Sequence, residues 1–355
     1  MTLVGAFALV NMLLIKHITT MLSQNRQLSV IPNKTEISAA TPSTIPLPTS
    51  HDMLALETIF DDVIETTDQK SWKLVVGGDY NPGRQVNVVA NNQDTFGQLL
   101  ENLGNLFTDA DIAMVNLEGA LVANCPLLSD GMKFCGNLRH VDALKNAGID
   151  VVSLANNHSL NFGSAGLLET KTILDQGALH YVGFDEIAYL QVKDNVEVAI
   201  VGIDATLKER NPQEIIALVS LANKRSPVVI PYFHWGSEYT HDPNQHQQDL
   251  AHAAIEAGAA LVLGSHPHWV QAIELYNQKL IVYSHGNLVF DQFWSEKTRQ
   301  GIVGEYIFIE NSLVDVRFQP IYIGNEYKPH TLNGEVAQEV INQMLQASER
   351  LDSYE

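Results

Sequence analysis

Positive charge is what this chain has least of. Its 355 residues hold 21 Lys and Arg against 41 Asp and Glu, a formal net charge of −20. Non-specific nucleic-acid binding works by neutralising phosphates with Lys and Arg, so no nucleic-acid partner is expected. The same charge repels bulk polyanions unless a local basic patch offsets it. Cysteine is nearly absent, with only Cys125 and Cys135. Their ten-residue spacing suits a local disulfide loop in an oxidising compartment, the alternative being two reduced, unrelated thiols. Long apolar runs are also missing. The run at residues 3–15, LVGAFALVNMLLI, falls short of the about 20 residues that span a membrane. It has no basic stretch before it and no clean cleavage site after it. Residues 1–22 are read as a membrane anchor, with an imperfect signal peptide as the second choice. Lys16 and Arg26 follow the run, which weighs towards a cytoplasmic body.

With 45% hydrophobic and 17% charged residues, the chain can bury a sizeable core. Residues 23–50 are rich in Ser, Thr and Pro and read as an extended linker. Residues 51–70 add a short acidic helix. The body is expected over 71–330, with a helical tail over 331–355. Strand-like runs alternate with helical patterns, the mark of an α/β fold. Helices are predicted over 95–107, 139–148, 164–177 and 245–258, with Gly148, Gly177 and Gly258 as stops. Pro82 and Gly83 are read as delaying any helix after Asp79. GIVGEYIFIE and SLVDVRFQPIYIG read as an antiparallel hairpin about Asn311-Ser312. There is no internal repeat.

What the chain does have is six apolar runs that each end in a metal-ligand or acid–base residue type. They are KLVVGGD to Asp79, IAMVNLE to Glu118, DVVSLANNH to Asn157 and His158, PVVIPYFHWG through His234, ALVLGSHPH to His266 and His268, and KLIVYSHGN to His285 and Asn287. Such runs read as buried strands, and ligands of an open α/β sheet bind beyond the strands' carboxyl ends. Imidazole at His234, His266 and His268 suits zinc, manganese or iron. Asp79 reads as a ligand or as a helix cap. Glu118 can bridge two metal ions. Asn157 is assigned as a ligand and His158 as general acid, an Asn-rich turn being the alternative. Arg84 is expected to hold a phosphate or carboxylate oxygen. Asn116 is placed with the substrate-binding residues and could orient Glu118. Trp235 reads as a wall of the substrate cleft or as core, and Asn287 as a substrate contact. Glu238 is expected to orient His234 from behind. His285 reads as a loop residue, and His241, His246 and His252 as solvated.

Taken in order, GGD, NLEGAL, KFCGNLR, LANNHSLNFG, HWGSEY, GSHPHWVQ and YSHGNLVFD resemble the CapA/PgsA-like poly-γ-glutamate capsule biosynthesis family, part of the calcineurin-like metallophosphoesterase superfamily. The resemblance covers residues about 73 to 325. It implies a four-layer α/β/β/α sandwich of the metallophosphoesterase type with two divalent metal ions, Mn, Zn or Fe. Carried over, Asp79, Glu118 and His268 would hold one metal. Glu118, Asn157, His234 and His266 would hold the other, with His158 as the acid above them. Members are typically membrane-anchored with an extracytoplasmic body, in agreement with the linker and the cysteine pair. The chain departs from the pattern at Asn161, where an Asp usually orients the histidine, and at Asn81, where superfamily phosphatases often carry the His of Asp-x-His. It departs again at His285, where the family has a hydrophobic residue.

Three functions fit this reading. The first is a membrane-anchored, two-metal hydrolase acting on a phosphorylated small molecule or on an anionic polymer. The second is a non-catalytic assembly or export factor within a membrane polymer-synthase complex, in which Lys133, Arg139 and Arg299 would matter more than metals. The third is a γ-glutamyl or amide hydrolase.

Overall fold

The computed structural model describes residues 54–55, 71–184 and 186–351. The expected anchor, the linker over 23–50 and all of the acidic helix expected over 51–70 except Leu54 and Ala55 lie outside these residues; those two residues form a short strand rather than a helix. Among the described residues no helix is long and apolar enough to cross a membrane.

The chain begins with β1 (Leu54–Ala55), β2 (Ser71–Tyr80), α1 (Arg84–Gln93), β3 (Ile112–Leu117), β4 (Ala120–Leu121), β5 (Cys135–Gly136), α2 (His140–Ala147), β6 (Val151–Ser153), α3 (Gly163–Gln176) and β7 (His180–Val182). It continues with β8 (Ile187–Gln191), β9 (Glu197–Asp204), α4 (Pro212–Asn223), β10 (Val228–His234), α5 (Gln245–Glu256), β11 (Val262–Ser265), β12 (Ile273–Tyr276) and β13 (Lys279–Val282). It ends with β14 (Asn287–Val289), α6 (Glu296–Arg299), β15 (Gln300–Ile309), β16 (Ser312–Ile323), β17 (Pro329–Thr331) and α7 (Gly334–Leu351).

Two sheets stack face to face. The first has nine strands in the order β1-β16-β15-β2-β3-β6-β7, with β14 added beside β2 and β17 beside β16; the second has six, β12-β13-β11-β10-β9-β8. Alternation along the strands sorts side chains into layers. Leu74, Val76, Met114 and Val151 face Ile200, Ile230, Tyr232 and Leu263 across the space between the sheets. Val75, Ala113 and Val152 turn outward beneath α1, α2 and α3. Val201, Val229 and Phe233 do the same beneath α4 and α5. The result is the expected four-layer α/β/β/α sandwich. Each fully buried Val, Leu or Ile adds about 1.5–3 kcal/mol, so this alternation fixes the strand faces.

Two expectations change. The segment 95–107 buries Phe96, Leu99, Leu100, Leu103 and Phe107 as its spacing predicts. It does so through 3-10 turns at Phe96–Gln98 and Glu101–Leu103 rather than an α-helix, because glycine at 97 and 104 weakens the helix. α1 starts directly at Arg84; Pro82 lies before the helix, where it costs no helical hydrogen bond. The expected C-terminal helix is present as α7, and its Val340, Ile341 and Met344 belong to the inter-sheet core. The β15–β16 hairpin is present, with its turn at Glu310-Asn311, since Ile309 pairs with Ser312.

β2, β3, β6 and β7 run parallel, as do β9, β10, β11 and β13. Within the sheets Asp79 lies beside Asn116 and His234 beside Ser265. Their carboxyl ends therefore gather at one edge of the sandwich.

Candidate metal centre

Asp79 ends β2 where that strand touches the turn before β14. A Cβ at Gly78 would sit 1.8 Å from the Gly286 carbonyl oxygen, so only glycine lets the two backbones meet. The Asp79 amide then donates to that oxygen at 3.0 Å. Its carboxylate accepts from Asn116 Nδ2 at 2.8 Å and from the His266 amide at 3.2 Å. Asn116 is itself held by Asn156, whose Nδ2 donates to it at 3.0 Å. Asn116 is thus fully buried and orients Asp79; it is neither a substrate contact nor the orienter of Glu118.

Glu118 follows β3 and is fully buried. Neither of its carboxylate oxygens has a hydrogen-bond partner among the described residues. The basic side-chain nitrogens facing it are His158 Nε2 at 3.8 Å and His268 Nε2 at 3.9 Å, both too far for a hydrogen bond. Burial and the neighbouring Asp79 hold its carboxyl well above the usual range. A buried carboxylate without partners is strongly destabilising. A cation offsets that cost, and ligand atoms of Asp79, Glu118 and His268 lie within 4.8 Å of one another. Carboxylate oxygens with imidazole nitrogen make a donor set suited to a divalent metal.

The His-Pro-His turn presents its rings in the left-handed region, with φ 96° at His266 and 58° at His268. Such strain concentrates at functional sites. His234 ends β10. His234 Nδ1 lies 3.0 Å from Ser265 Oγ and 3.3 Å from Asn116 Nδ2, and the Ser265 hydroxyl donates to the Phe233 carbonyl at 3.1 Å. His234 Nε2 faces Asn157 Oδ1 at 3.0 Å and His266 Nδ1 at 3.1 Å. Burial pushes both imidazoles down, His266 to about 3, so both are neutral and ready to ligate. The six metal-ligand residues expected from the sequence therefore share one site. Asp79, Glu118 and His268 form one half, and Asn157, His234 and His266 the other.

His158 sits above them. Asn161 Oδ1 accepts from the Phe134 amide at 2.7 Å and from His158 Nδ1 at 2.9 Å, as an orienting residue should. Phe134 stacks on the imidazole with 3.9 Å between ring centroids. Burial lowers the pKa of His158, so Nε2 rests as an unprotonated acceptor. Cys125 and Cys135 are joined in a disulfide that closes the loop carrying Phe134. Arg84, at φ 50°, pairs with Asp291 and lies over the rings of Phe134 and Phe290 at 4.7 and 5.5 Å.

Other expected contacts move. Trp235 does not line the cleft: it is fully buried, stacks on Phe233 and donates to the Tyr283 carbonyl at 2.9 Å. Asn287 is buried and donates to the Thr298 carbonyl at 2.8 Å, with its oxygen 2.9 Å from His268 Nδ1. It positions His268 rather than substrate. Glu238 approaches His268 Nε2 at 4.0 Å, not His234. His285 is a buried pin between Gly264 O at 3.1 Å and Tyr306 Oη at 2.8 Å. His241, His246 and His252 are half-buried rather than solvated, and His252 meets Glu274 at 2.7 Å. Of the three basic residues considered for polymer contact, Lys133 is exposed, Arg139 pairs with Asp94, and Arg299 is tied to the Ile323 carbonyl.

The sequence reading missed Asn156, Phe134, Tyr239 and Trp294. Asn156 lies in the quoted ANNH run and carries the amide that fixes Asn116. Tyr239 stands 6.0 Å from the His268 ring, and exposed Trp294 stands 6.0 Å beyond it. The position of Tyr239 in HWGSEY was the available signal; for Trp294 there was none.

Residues 73–292 match the family described as bacterial capsule synthesis protein PGA_cap. The PGA biosynthesis protein CapA of Bacillus subtilis (strain 168) is 31% identical over 269 residues, covering 69% of this chain and 70% of that protein. The capsule biosynthesis protein CapA of Bacillus anthracis is 28% identical over 288 residues, covering 73% and 69%. Among solved structures, a 5'-nucleotidase from Candida albicans aligns with TM-score 0.41 and 11% identity, over 80% of this chain and 58% of that one. By the match of its body and the likeness to the Bacillus subtilis protein, the chain belongs to the PGA_cap family of bacterial capsule synthesis proteins.

Proposed function

We propose that this protein is a divalent-cation-dependent hydrolase of the metallophosphoesterase type, acting on a phosphoester during assembly of an anionic surface polymer. The observation that carries the reading is Glu118, a buried carboxylate with no hydrogen-bond partner among the described residues, set within reach of Asp79 and His268. Asp79, Glu118 and His268 would hold one cation, and Glu118, Asn157, His234 and His266 the other. Two such ions supply Lewis acidity towards a phosphoryl oxygen. His158 handles the proton. Asn161 fixes the hydrogen on Nδ1, so Nε2 accepts a proton and returns it to the leaving oxygen. Arg84 is paired with Asp291 beside the site, and Tyr239 and Trp294 form its aromatic rim.

The disulfide fits an extracytoplasmic body, with residues 1–22 as membrane anchor and a polymer synthase as partner. A second reading, an assembly factor without catalysis, is favoured by Asn81 and Asn161, which stand where a ligand and a carboxylate orienter are expected. The full chain, stripped of metal and reloaded with Mn or Zn, is to be assayed on phosphomonoester, phosphodiester and γ-glutamyl amide probes. Cation-dependent phosphoester cleavage that falls about 10²-fold or more in His158→Ala is expected. Cleavage of the amide probe alone would move the reading to an amide hydrolase. No cleavage of any probe by fully loaded protein would leave the assembly-factor reading standing.

A further inference from the structure

Asp79, Glu118 and His268 offer three ligands on one side of the centre. The residue two beyond Asp79 is Asn81, which is fully buried. Its Oδ1 accepts from the Gly83 amide at 2.6 Å, and its Nδ2 has no partner among the described residues. The atom able to bind a cation is engaged elsewhere, and an amide NH2 cannot ligate one.

A different side chain stands nearby. After His234 the chain dips into the core at Trp235, turns at Gly236 with φ 85°, and returns to the site at Glu238. The Tyr239 amide donates to the Pro267 carbonyl at 2.9 Å, which stitches this turn to the His-Pro-His turn. Glu238 Oε1 then lies 4.0 Å from His268 Nε2. Ligand atoms of Glu238, His266 and His268 fall within 4.8 Å of one another, as do those of Asp79, Glu118 and His268.

His268 joins the two sets, and its two nitrogens face different groups. Nδ1 points to Asn287 Oδ1 and to Asp79 Oδ2, at 2.9 and 3.3 Å. Nε2 faces Glu118 and Glu238. Three carboxylates thus converge on one imidazole, and the nearby Arg84 is already paired with Asp291. A divalent cation beside that imidazole would offset the charge of the three carboxylates once they ionise. Glu118 supplies the independent sign of a ligand, being buried, aimed into the cluster and without a hydrogen-bond partner there.

We infer that Glu238 is a direct ligand of the cation on the Asp79 side, taking the place that Asn81 cannot fill. This rests on the metal reading given above. Glu238 is 39% exposed, so it closes the centre from the open side and can move as substrate enters. The test is Mn²⁺ titration calorimetry on the full chain, with a thermal melt to confirm folding. Wild type should take up two cations. Glu238→Gln should keep its melt but bind one of them at least tenfold more weakly. Adding Asn81→His to Glu238→Gln should recover that site, because an imidazole there supplies the missing nitrogen. Unchanged uptake of both cations by Glu238→Gln would overturn the assignment of Glu238 and leave the metal reading intact. A wild type that binds no cation would overturn both.

Discussion

His268 Nδ1 lies 2.9 Å from Asn287 Oδ1, and the Asn287 amide cannot turn over. Its Nδ2 donates to the Thr298 carbonyl at 2.8 Å and to Gln292 Oε1 at 3.1 Å, so its oxygen must face the imidazole. This keeps the hydrogen on Nδ1 and leaves Nε2 for a metal. Asn287→Ala should weaken cation binding about 10–100-fold and cost about 1–3 kcal/mol of stability from the groups left unpaired. Calorimetry and a melt check both, and unchanged cation affinity would contradict the role given to Asn287.

The metal-free site holds protons that a cation must displace. Burial lowers the pKa of His268, but Glu118 and Asp79 outweigh that and raise it to about 9. Burial and Asp79 raise Glu118 as well. Cation affinity should therefore climb as pH rises towards the His268 pKa of about 9, with proton release seen as heats that depend on the buffer. The sign for stability is opposite. His268 is raised above its unfolded value of about 6.5, so its contribution to the metal-free fold is complete below that pH and is lost as pH rises through about 9. Affinity that is flat with pH would contradict this arrangement of charges.

How much of this was legible in the sequence follows from what each residue needs. Strand ends were legible because an apolar run that stops at Asp79 or His234 records both burial and its limit. The ligand types were legible because carboxylate and imidazole at such ends are costly without a purpose. Supporting roles were not. Whether Asn116 meets substrate or Asp79, and whether Glu238 faces His234 or His268, depends on which strands lie side by side. Trp235 was left between cleft wall and core for the same reason: the chain dips into the core for one residue between His234 and Glu238. Segment 95–107 shows the limit of periodicity, which gave the buried residues but not the kind of turn that buries them.

Gly77 and Gly78 look alike in the sequence and differ in space. A methyl group at Gly77 would meet side-chain atoms of Leu288, Phe107 and Val115 at 3.0 to 3.3 Å, which can shift. At Gly78 it would meet the Gly286 backbone, which cannot. Gly77→Ala should cost about 1–3 kcal/mol, and Gly78→Ala distinctly more, with loss of cation uptake as Asp79 moves. Equal melting temperatures for the two variants would contradict the close approach of β2 and β14.

The Cys125–Cys135 disulfide closes the loop that sets Phe134 on His158. Replacing both cysteines by serine should cost about 3 kcal/mol through the freed unfolded chain. Cation binding should survive, because the ligands lie on the strand ends rather than on this loop. Loss of the metal together with the disulfide would contradict that division.

The most direct test of the account is elemental analysis of the purified full chain beside Glu118→Gln. Glutamine keeps the size of the side chain but removes the charge that the buried site leaves unpaired. About two equivalents of Mn, Zn or Fe in the wild type, with most of it lost in Glu118→Gln, is the predicted result. A wild type without metal after incubation with excess Mn and Zn, or a Glu118→Gln protein that holds as much as wild type, would contradict it.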